Sequence, residues 1–211
     1  MDADFNSTLN EALGLEVENT IANIMADVKD NNVSSGMTKD MFIELKLHQA
    51  LIETKDYDLL VMGGPHGPGC YCFPSGILKR HLMTLDNNYD YMVIDNEAGM
   101  EHISRETIVD VDILLVISDA TTKGVRTAGR IYNLAKSLKI EIGAAYLVVS
   151  RIDKLDLLEN EIEATGLDLL GLIPNDPLIT EYDLRGKPLK DLPADSLAVS
   201  ASMKLFEKLR L

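Results

Sequence analysis

Residues 63–72 read Gly-Gly-Pro-His-Gly-Pro-Gly-Cys-Tyr-Cys. It holds both cysteines of the chain, Cys70 and Cys72, which flank a single tyrosine in a segment rich in glycine and proline. Further along, residues 91–99 (Tyr-Met-Val-Ile-Asp-Asn-Glu-Ala-Gly) run from an apolar strand pattern into an acidic turn. Each segment predicts a different kind of binding site.

The composition is typical of one cytoplasmic globular protein. The 211 residues are 46% hydrophobic but only 5% aromatic, and we expect one domain, residues 1–211, with an aliphatic core. A net charge of −14 repels phosphate backbones and anionic lipids, which predicts no nucleic-acid and no membrane partner. The sequence shows neither a membrane-length apolar run nor a signal peptide, and its two cysteines are not spaced for a disulfide framework.

Short apolar segments alternate with helical patterns, which predicts an α/β fold. The expected strands are residues 58–62, 92–94, 113–117, 145–149 and 169–173. The expected helices are residues 20–33, 38–54, 76–85, 124–138, 155–163 and 195–209, preceded by a short one that Asn6 or Ser7 caps. We therefore expect a doubly wound, mostly parallel sheet with helices on both faces.

Asp95 ends an apolar strand pattern, and Gly99 follows four residues later. A carboxylate at a strand end is suited to hold Mg²⁺ through water, and a glycine beyond it lets the backbone approach a phosphate. An aspartate in this place also caps the next helix in many parallel sheets, so both interpretations stay open.

Two thiolates at positions i and i+2 cannot complete a tetrahedral metal site by themselves. Two protomers that meet on a two-fold axis would supply four sulfurs, Cys70 and Cys72 from each, for Zn²⁺ or Ni²⁺. The alternative is a pair of buried, inert cysteines. The surrounding glycines and prolines favour metal ligands, with His66 as an additional candidate.

Four segments carry a resemblance to a known family: residues 2–8, 69–72, 93–102, and 118–121 with 124–130. Over residues 2–151 the chain resembles the MinD/nitrogenase-iron-protein class of dimeric P-loop ATPases. Within that class it is most similar to the CooC-type accessory ATPases, which supply nickel to carbon monoxide dehydrogenase. The run Asp-Asn-Glu-Ala-Gly-Met-Glu-His at residues 95–102 is the most specific part of these segments.

This resemblance implies roles for the acidic residues. Asp4 takes the switch position that orients the attacking water, and Asp2 is its neighbour near magnesium. Asp95 becomes the Walker-B-like aspartate, and Gly99 the switch glycine beside the terminal phosphate of ATP.

The resemblance also implies an adenine side. Pro174 and Asp176 belong to the loop that borders the base in the class. For Arg151 two interpretations stay open, stacking on the base and a surface salt bridge. Ser150 stands where the class usually has an asparagine that reads the base.

The class is defined by a glycine-rich loop with lysines that cradles the phosphates, and no such sequence occurs here. Residues 63–69 contain no lysine and two prolines that lack N–H donors. We therefore expect a chain that lacks its first βα unit and is a poor ATPase as it stands. A mis-assigned start or a trimmed chain would explain this, as would a genuine stand-alone fragment.

Three functions remain in view. The leading one is an ATP-dependent nickel metallochaperone, homodimeric with nucleotide or metal, whose client is apo carbon monoxide dehydrogenase. The second is a MinD/ParA-like positioning ATPase. The third is a non-hydrolysing metal-binding or interaction module derived from such an ATPase.

Overall fold

A computed structural model of the protein describes residues 1–64, 88–99, 111–152, 154–155 and 157–209. The chain divides into two compact units, a first unit, Met1–Ala98, and a second unit, Gly99–Leu211. The helix predicted over residues 76–85 lies outside the described residues, as do His66, Cys70 and Cys72.

The described residues of the first unit form three helices and a small antiparallel strand pair. Its elements are α1 (Leu9–Ala12), α2 (Ile21–Lys29), α3 (Lys39–Ala50), β1 (Ile52–Glu53) and β2 (Asp58–Leu59). Thr20 and Thr38 begin α2 and α3, because their hydroxyls accept the backbone N–H of Asn23 and Met41. The two helices bury a shared aliphatic core that includes Ile21, Ile43 and Leu47.

Helix α3 ends earlier than predicted. The prediction of residues 38–54 is wrong at its end, because Leu51 turns into an extended conformation and Ile52 pairs with Leu59 in the strand pair. Met41 and Leu45 are 54% and 41% exposed, and the core is filled from α3 by Phe42, Ile43, Leu47 and Ala50.

Residues 1–3 form a short extended segment that pairs on both sides. Asp2 makes parallel bridges to Val61 and to Asp95. The strand predicted over residues 92–94 is thereby reduced, within the described residues, to a single bridge at Asp95.

The second unit contains a parallel sheet in the order β3 (Val111–Asp119), β4 (Ile142–Ser150) and β5 (Asp168–Ile173). In the described part of this unit the helices are α4 (Thr122–Ser137), α5 (Glu159–Thr165), α6 (Pro177–Leu184) and α7 (Leu197–Leu209), with a 3₁₀ turn at Leu189–Asp191. The three strands and three of these helices match predicted segments. Helix α6 was not predicted, although Asp176 followed by Pro177 is a common start signal.

Helices cover both faces of this sheet, as predicted. On one face Leu147 and Val149 pack with Val125 of α4 and Ile162 of α5. On the other face Val148 packs with Leu205 of α7. These three strand residues are at most 2% exposed, which explains the continuous apolar pattern of β4.

The last strand of the described sheet is held to α7 by a side chain as well. Lys208 Nζ donates a hydrogen bond of 2.7 Å to the main-chain oxygen of Leu170. Within the part of the chain that the structure describes, no helix is long and apolar enough to cross a bilayer.

Candidate functional site

The first unit brings three predicted aspartates together through main-chain pairing. The N–H of Asp2 donates to Leu60 O, and Met62 N–H donates to Asp2 O, both at 2.8 Å. On the other side Ala3 N–H donates to Asp95 O, also at 2.8 Å. The three segments run parallel, so Asp4 and Asp95 follow at the same end, where parallel sheets bind ligands.

The side chain of Asp2 stabilises the loop that follows it through hydrogen bonds to the backbone. The residue is 0% exposed, and its Oδ1 and Oδ2 accept the backbone N–H groups of Asp4 (3.0 Å) and Leu9 (3.1 Å). The carboxylate therefore spans residues 4–8, which we call the Asp4 loop. It also does the work predicted for Asn6 or Ser7, since the residue at the N-cap position of α1, Thr8, makes no side-chain capping bond.

Asp4 is fixed by its own loop and remains partly exposed. Its Oδ1 accepts the N–H of Asn6 at 2.7 Å. Ser7 closes the turn in a left-handed conformation, with φ of 49°, and its hydroxyl donates to the main-chain oxygen of Asp4 at 2.9 Å. The same hydroxyl oxygen accepts the N–H of Gly63 at 3.0 Å, which joins the Asp4 loop to the start of the glycine-rich stretch.

Asp95 has an unfavourable electrostatic environment for a carboxylate. Partial burial raises its pKa first of all, the nearby carboxylates of Asp2 and Asp4 raise it further, and the ammonium group of Met1 lowers it in part. A cation placed near Asp95 would offset the three contributions that raise the pKa. The described residues contain no cluster of three or more acidic, histidine or cysteine side chains suited to hold a metal ion. The arrangement instead fits Mg²⁺, which needs one or two carboxylates together with water and phosphate oxygens.

Gly99, the predicted switch glycine, adopts a backbone conformation that favours glycine. Its φ of 110° lies in the region that favours glycine over residues with a side chain. The sequence analysis predicts that Gly99 lies beside a phosphate. The conformation is a separate reason for a glycine at this position.

The second unit gathers the predicted adenine-side residues at one sheet edge. Ser150 pairs in register with Asp119 and with Ile173, so the carboxyl ends of β3, β4 and β5 coincide. Arg151 and Pro174 follow directly at this edge. Arg151 is exposed and left-handed, with φ of 60°. Ser150 Oγ donates to Ser118 O at 3.1 Å, so this hydroxyl is engaged within the sheet.

Asp176 organises the loop that follows β5. The side chain is buried, and its Oδ1 and Oδ2 accept the N–H groups of Leu178 (2.9 Å) and Ala198 (3.0 Å). One carboxylate thus begins both α6 and α7. These bonds, that from Ala198 above all, lower the pKa of Asp176. A groove of about 560 Å³ lies beside the loop, and it is lined by Asn175, Pro177, Thr180, Glu181, Leu184 and Arg185.

Asp119 is a further polar residue at this edge that the sequence analysis did not single out. The hydroxyl of Thr121 donates to Asp119 Oδ1 at 2.7 Å and accepts the N–H of Gly124 at 2.9 Å. A side chain at Gly124 would collide with the Asp119 carboxylate. The spacing of Asp119, Thr121 and Gly124 was the available signal, and it was used only for the family resemblance.

The proposed metal ligands Cys70 and Cys72 lie outside the described residues, and so do His66 and His102. The four-sulfur site between two protomers therefore stays a prediction. What the structure does describe is the beginning of that stretch, Gly63–Gly64.

Comparison with known proteins gives relatives but no matching family model. The chain is 40% identical to the uncharacterized ATP-binding protein MJ0685 of Methanocaldococcus jannaschii, over 99% of this chain and 85% of that protein. A second uncharacterized ATP-binding protein of the same organism, MJ0823, is 34% identical over 98% and 83% of the two chains. The carbon monoxide dehydrogenase accessory protein CooC of Rhodospirillum rubrum is 29% identical over 91% and 78%.

Solved structures agree on the fold. The cell division ATPase MinD of Pyrococcus furiosus superposes with a TM-score of 0.69 at 19% identity, covering 99% of this chain and 83% of that one. A ParA family ATPase from Chlorobium tepidum also gives 0.69, at 16% identity, covering 99% and 82%. This likeness shows a MinD/ParA-like P-loop NTPase fold. The 40% identity to MJ0685 across nearly the whole chain shows that the protein belongs to a family of ATP-binding proteins, and it has the MinD/ParA-like fold.

Proposed function

We propose that this chain is an ATP-dependent metallochaperone that delivers nickel to carbon monoxide dehydrogenase. The observation that carries the nucleotide half is the presentation of Asp4 and Asp95 at one end of parallel segments, in a chain that belongs to an ATP-binding class. The nickel half is supported by the similarity to CooC and by the Cys-Tyr-Cys sequence at residues 70–72.

The three aspartates on the phosphate side of the proposed nucleotide site have different roles. Asp4, oriented through its bond from Asn6 N–H, positions the attacking water, and Asp95 holds the hydrated magnesium ion of ATP or ADP. Asp2 acts on magnesium through the Asp4 loop, because its own oxygens already accept two backbone N–H groups. Gly99 allows the main chain to approach the terminal phosphate. When bound, magnesium neutralises charge on the phosphates.

The adenine side is formed in the second unit. Arg151 stacks on the base, and the loop at Pro174 borders it. Asp176 does not reach the base in this proposal; it keeps the loop in place by beginning α6 and α7. Residues 1–211 then act as one nucleotide-binding domain of a cytoplasmic protein.

The cargo site forms between two copies of the chain. Cys70 and Cys72 of each protomer bind one Ni²⁺ or Zn²⁺, since four thiolates suit a tetrahedral site for such ions. ATP binding closes the homodimer, and hydrolysis releases nickel to the apo dehydrogenase.

The cargo site is tested by metal titration followed by measurement of molar mass in solution. With Zn²⁺ or Ni²⁺ we expect a dimer that carries one ion per two chains, and a monomer for Cys70→Ser/Cys72→Ser. Ser137→Ala, a serine variant on the exposed end of α4, should dimerise like the wild type. A wild-type chain that stays monomeric with metal, or an unchanged response of the double serine variant, would contradict the proposal.

A positioning ATPase of the MinD/ParA type is the second candidate, favoured by the structural likeness to MinD and ParA proteins. Such a function requires a membrane or DNA surface, which a net charge of −14 opposes. Nucleotide-dependent sedimentation with anionic vesicles or with DNA would support this candidate over the metallochaperone.

A non-hydrolysing metal-binding or interaction module is the third candidate, because the sequence contains no glycine-lysine phosphate loop. ATP turnover of this chain, compared with a chain that carries additional upstream residues, separates it from the first. Metal-dependent dimerisation without turnover in either form would favour the module.

A further inference from the structure

We propose that Ser7 is a positioning residue that couples the Asp4 loop to the glycine segment, Gly63–Gly64, from which the cysteine-bearing stretch continues. The inference rests on the proposed function, because it makes the nucleotide-side loop act on the metal side of the same molecule. In this proposal the hydroxyl of Ser7 transmits a change in the Asp4 loop to Gly63.

The contact is a relay of two hydrogen bonds. Gly63 N–H donates to Ser7 Oγ at 3.0 Å, and the Ser7 hydroxyl donates to the main-chain oxygen of Asp4 at 2.9 Å. The main chains of residues 4 and 63 are therefore joined through one side chain. In such a chain each hydrogen bond polarises the next, so a change at one end is felt at the other.

The residues around the two hydrogen bonds are closely packed. Gly63 has φ of 77°, and a side chain there would collide with Thr20 at the start of α2. A side chain at Gly64 would approach the main-chain oxygen of Phe5 to 3.2 Å. Because the glycine segment lies directly on the Asp4 loop, a shift of the loop must move the segment or break the hydrogen bond.

The backbone of Ser7 supports the same interpretation. A serine with φ of 49° is in a region that residues with side chains seldom occupy. Such a conformation persists where its surroundings determine it, and it is common in segments that switch. Asp2 anchors the loop on the opposite side through Asp4 N–H and Leu9 N–H, so the loop is held at both ends.

The test measures amide hydrogen exchange and chemical shifts of Gly63 and Gly64 by NMR in the full chain. Ser7→Ala removes the hydroxyl, and Ser7→Gly removes it while relaxing the left-handed backbone. An effect shared by both variants therefore belongs to the hydroxyl. Ser137→Ala is the matched control. Asp4→Asn perturbs the loop without any ligand, and Mg²⁺-ADP perturbs it through the proposed site.

We expect the Gly63 amide to exchange about fivefold faster in both Ser7 variants, the ratio given by a hydrogen bond of typical net strength, and to be unchanged in Ser137→Ala. Asp4→Asn should alter the Gly63 amide in the wild-type background. The alteration should fall by at least half in either Ser7 background. A purely structural Ser7 would leave that response intact.

The coupling is overturned if Asp4→Asn leaves Gly63 unaffected, or affects it equally with and without the Ser7 hydroxyl. Mg²⁺-ADP should shift the amides of the Asp4 loop and of Gly63 with one midpoint. If it shifts neither, the proposed nucleotide site is wrong, and the Asp4→Asn comparison alone decides the coupling.

Discussion

Replacing Asp2 by alanine is the most direct test of how the acidic site is built. The side chain is 0% exposed, and its two oxygens accept backbone N–H groups at 3.0 and 3.1 Å. Alanine leaves both donors, at Asp4 and Leu9, without this acceptor. Each lost partner in a partly buried place costs about 1–3 kcal/mol, so we expect a loss of about 2–5 kcal/mol in the free energy of unfolding.

Asparagine at position 2 keeps the size of the side chain and removes one of the two acceptor oxygens. Its single carbonyl oxygen can replace one carboxylate oxygen, but its NH₂ group would face the other N–H donor. We therefore expect Asp2→Asn to lose about half as much as Asp2→Ala. Urea unfolding followed by circular dichroism measures both, and a constant m-value would show that the unfolded state is unchanged.

An exposed aspartate in the same unit provides the control. Asp56→Asn should change the free energy of unfolding by less than about 0.5 kcal/mol. An Asp2→Ala chain as stable as this control would refute the assignment of Asp2 as the anchor of the Asp4 loop. So would an Asp2→Asn chain as unstable as Asp2→Ala.

Four other outcomes follow from the described contacts. Because N–H donors lower the pKa of Asp176, its contribution to stability is present above the ordinary value near 3.8 and is lost as the pH falls through the lowered one; urea unfolding at pH 7 and pH 3 should show the deficit of Asp176→Asn shrinking in acid. The raised pKa of Asp95 has the opposite sign: its ionisation costs stability above the raised pKa, so Asp95→Asn should raise the unfolding midpoint at pH 7 while weakening Mg²⁺-ADP binding measured by calorimetry. Leu147→Ala, at a position 0% exposed, should lower the free energy of unfolding by about 2–5 kcal/mol in urea titrations. The hydrogen bond from Tyr89 to Asp58 raises the tyrosine pKa to about 12, and an ultraviolet pH titration should show one tyrosine ionising earlier in Asp58→Asn.

The parts of the fold that sequence predicts well are those whose signals are local. β4 was predicted because Leu147, Val148 and Val149 are all buried, which produces an unbroken apolar run. The role predicted for Gly99 beside a phosphate stays a prediction, although its positive φ is a conformation that favours glycine.

The parts that sequence could not predict depend on contacts between distant residues. Asp2 caps a helix seven residues further on, and Asp176 reaches Ala198 across 22 residues. The early end of α3 depends on the pairing of Ile52 with Leu59 rather than on helical periodicity. Local patterns carry no signal for such pairings. The sequence therefore predicts only ligand-binding roles for Asp2 and Asp176, whose carboxylate oxygens accept backbone N–H groups.

The bond from Lys208 to the oxygen of Leu170 has a consequence for self-association. An outermost strand attracts foreign strands through its unpaired carbonyl groups. Here an ammonium group binds one carbonyl oxygen of β5, and an incoming chain that used this oxygen would have to displace a charge as well as align its backbone. A second copy that approached this oxygen would therefore meet an ammonium group already bound to it.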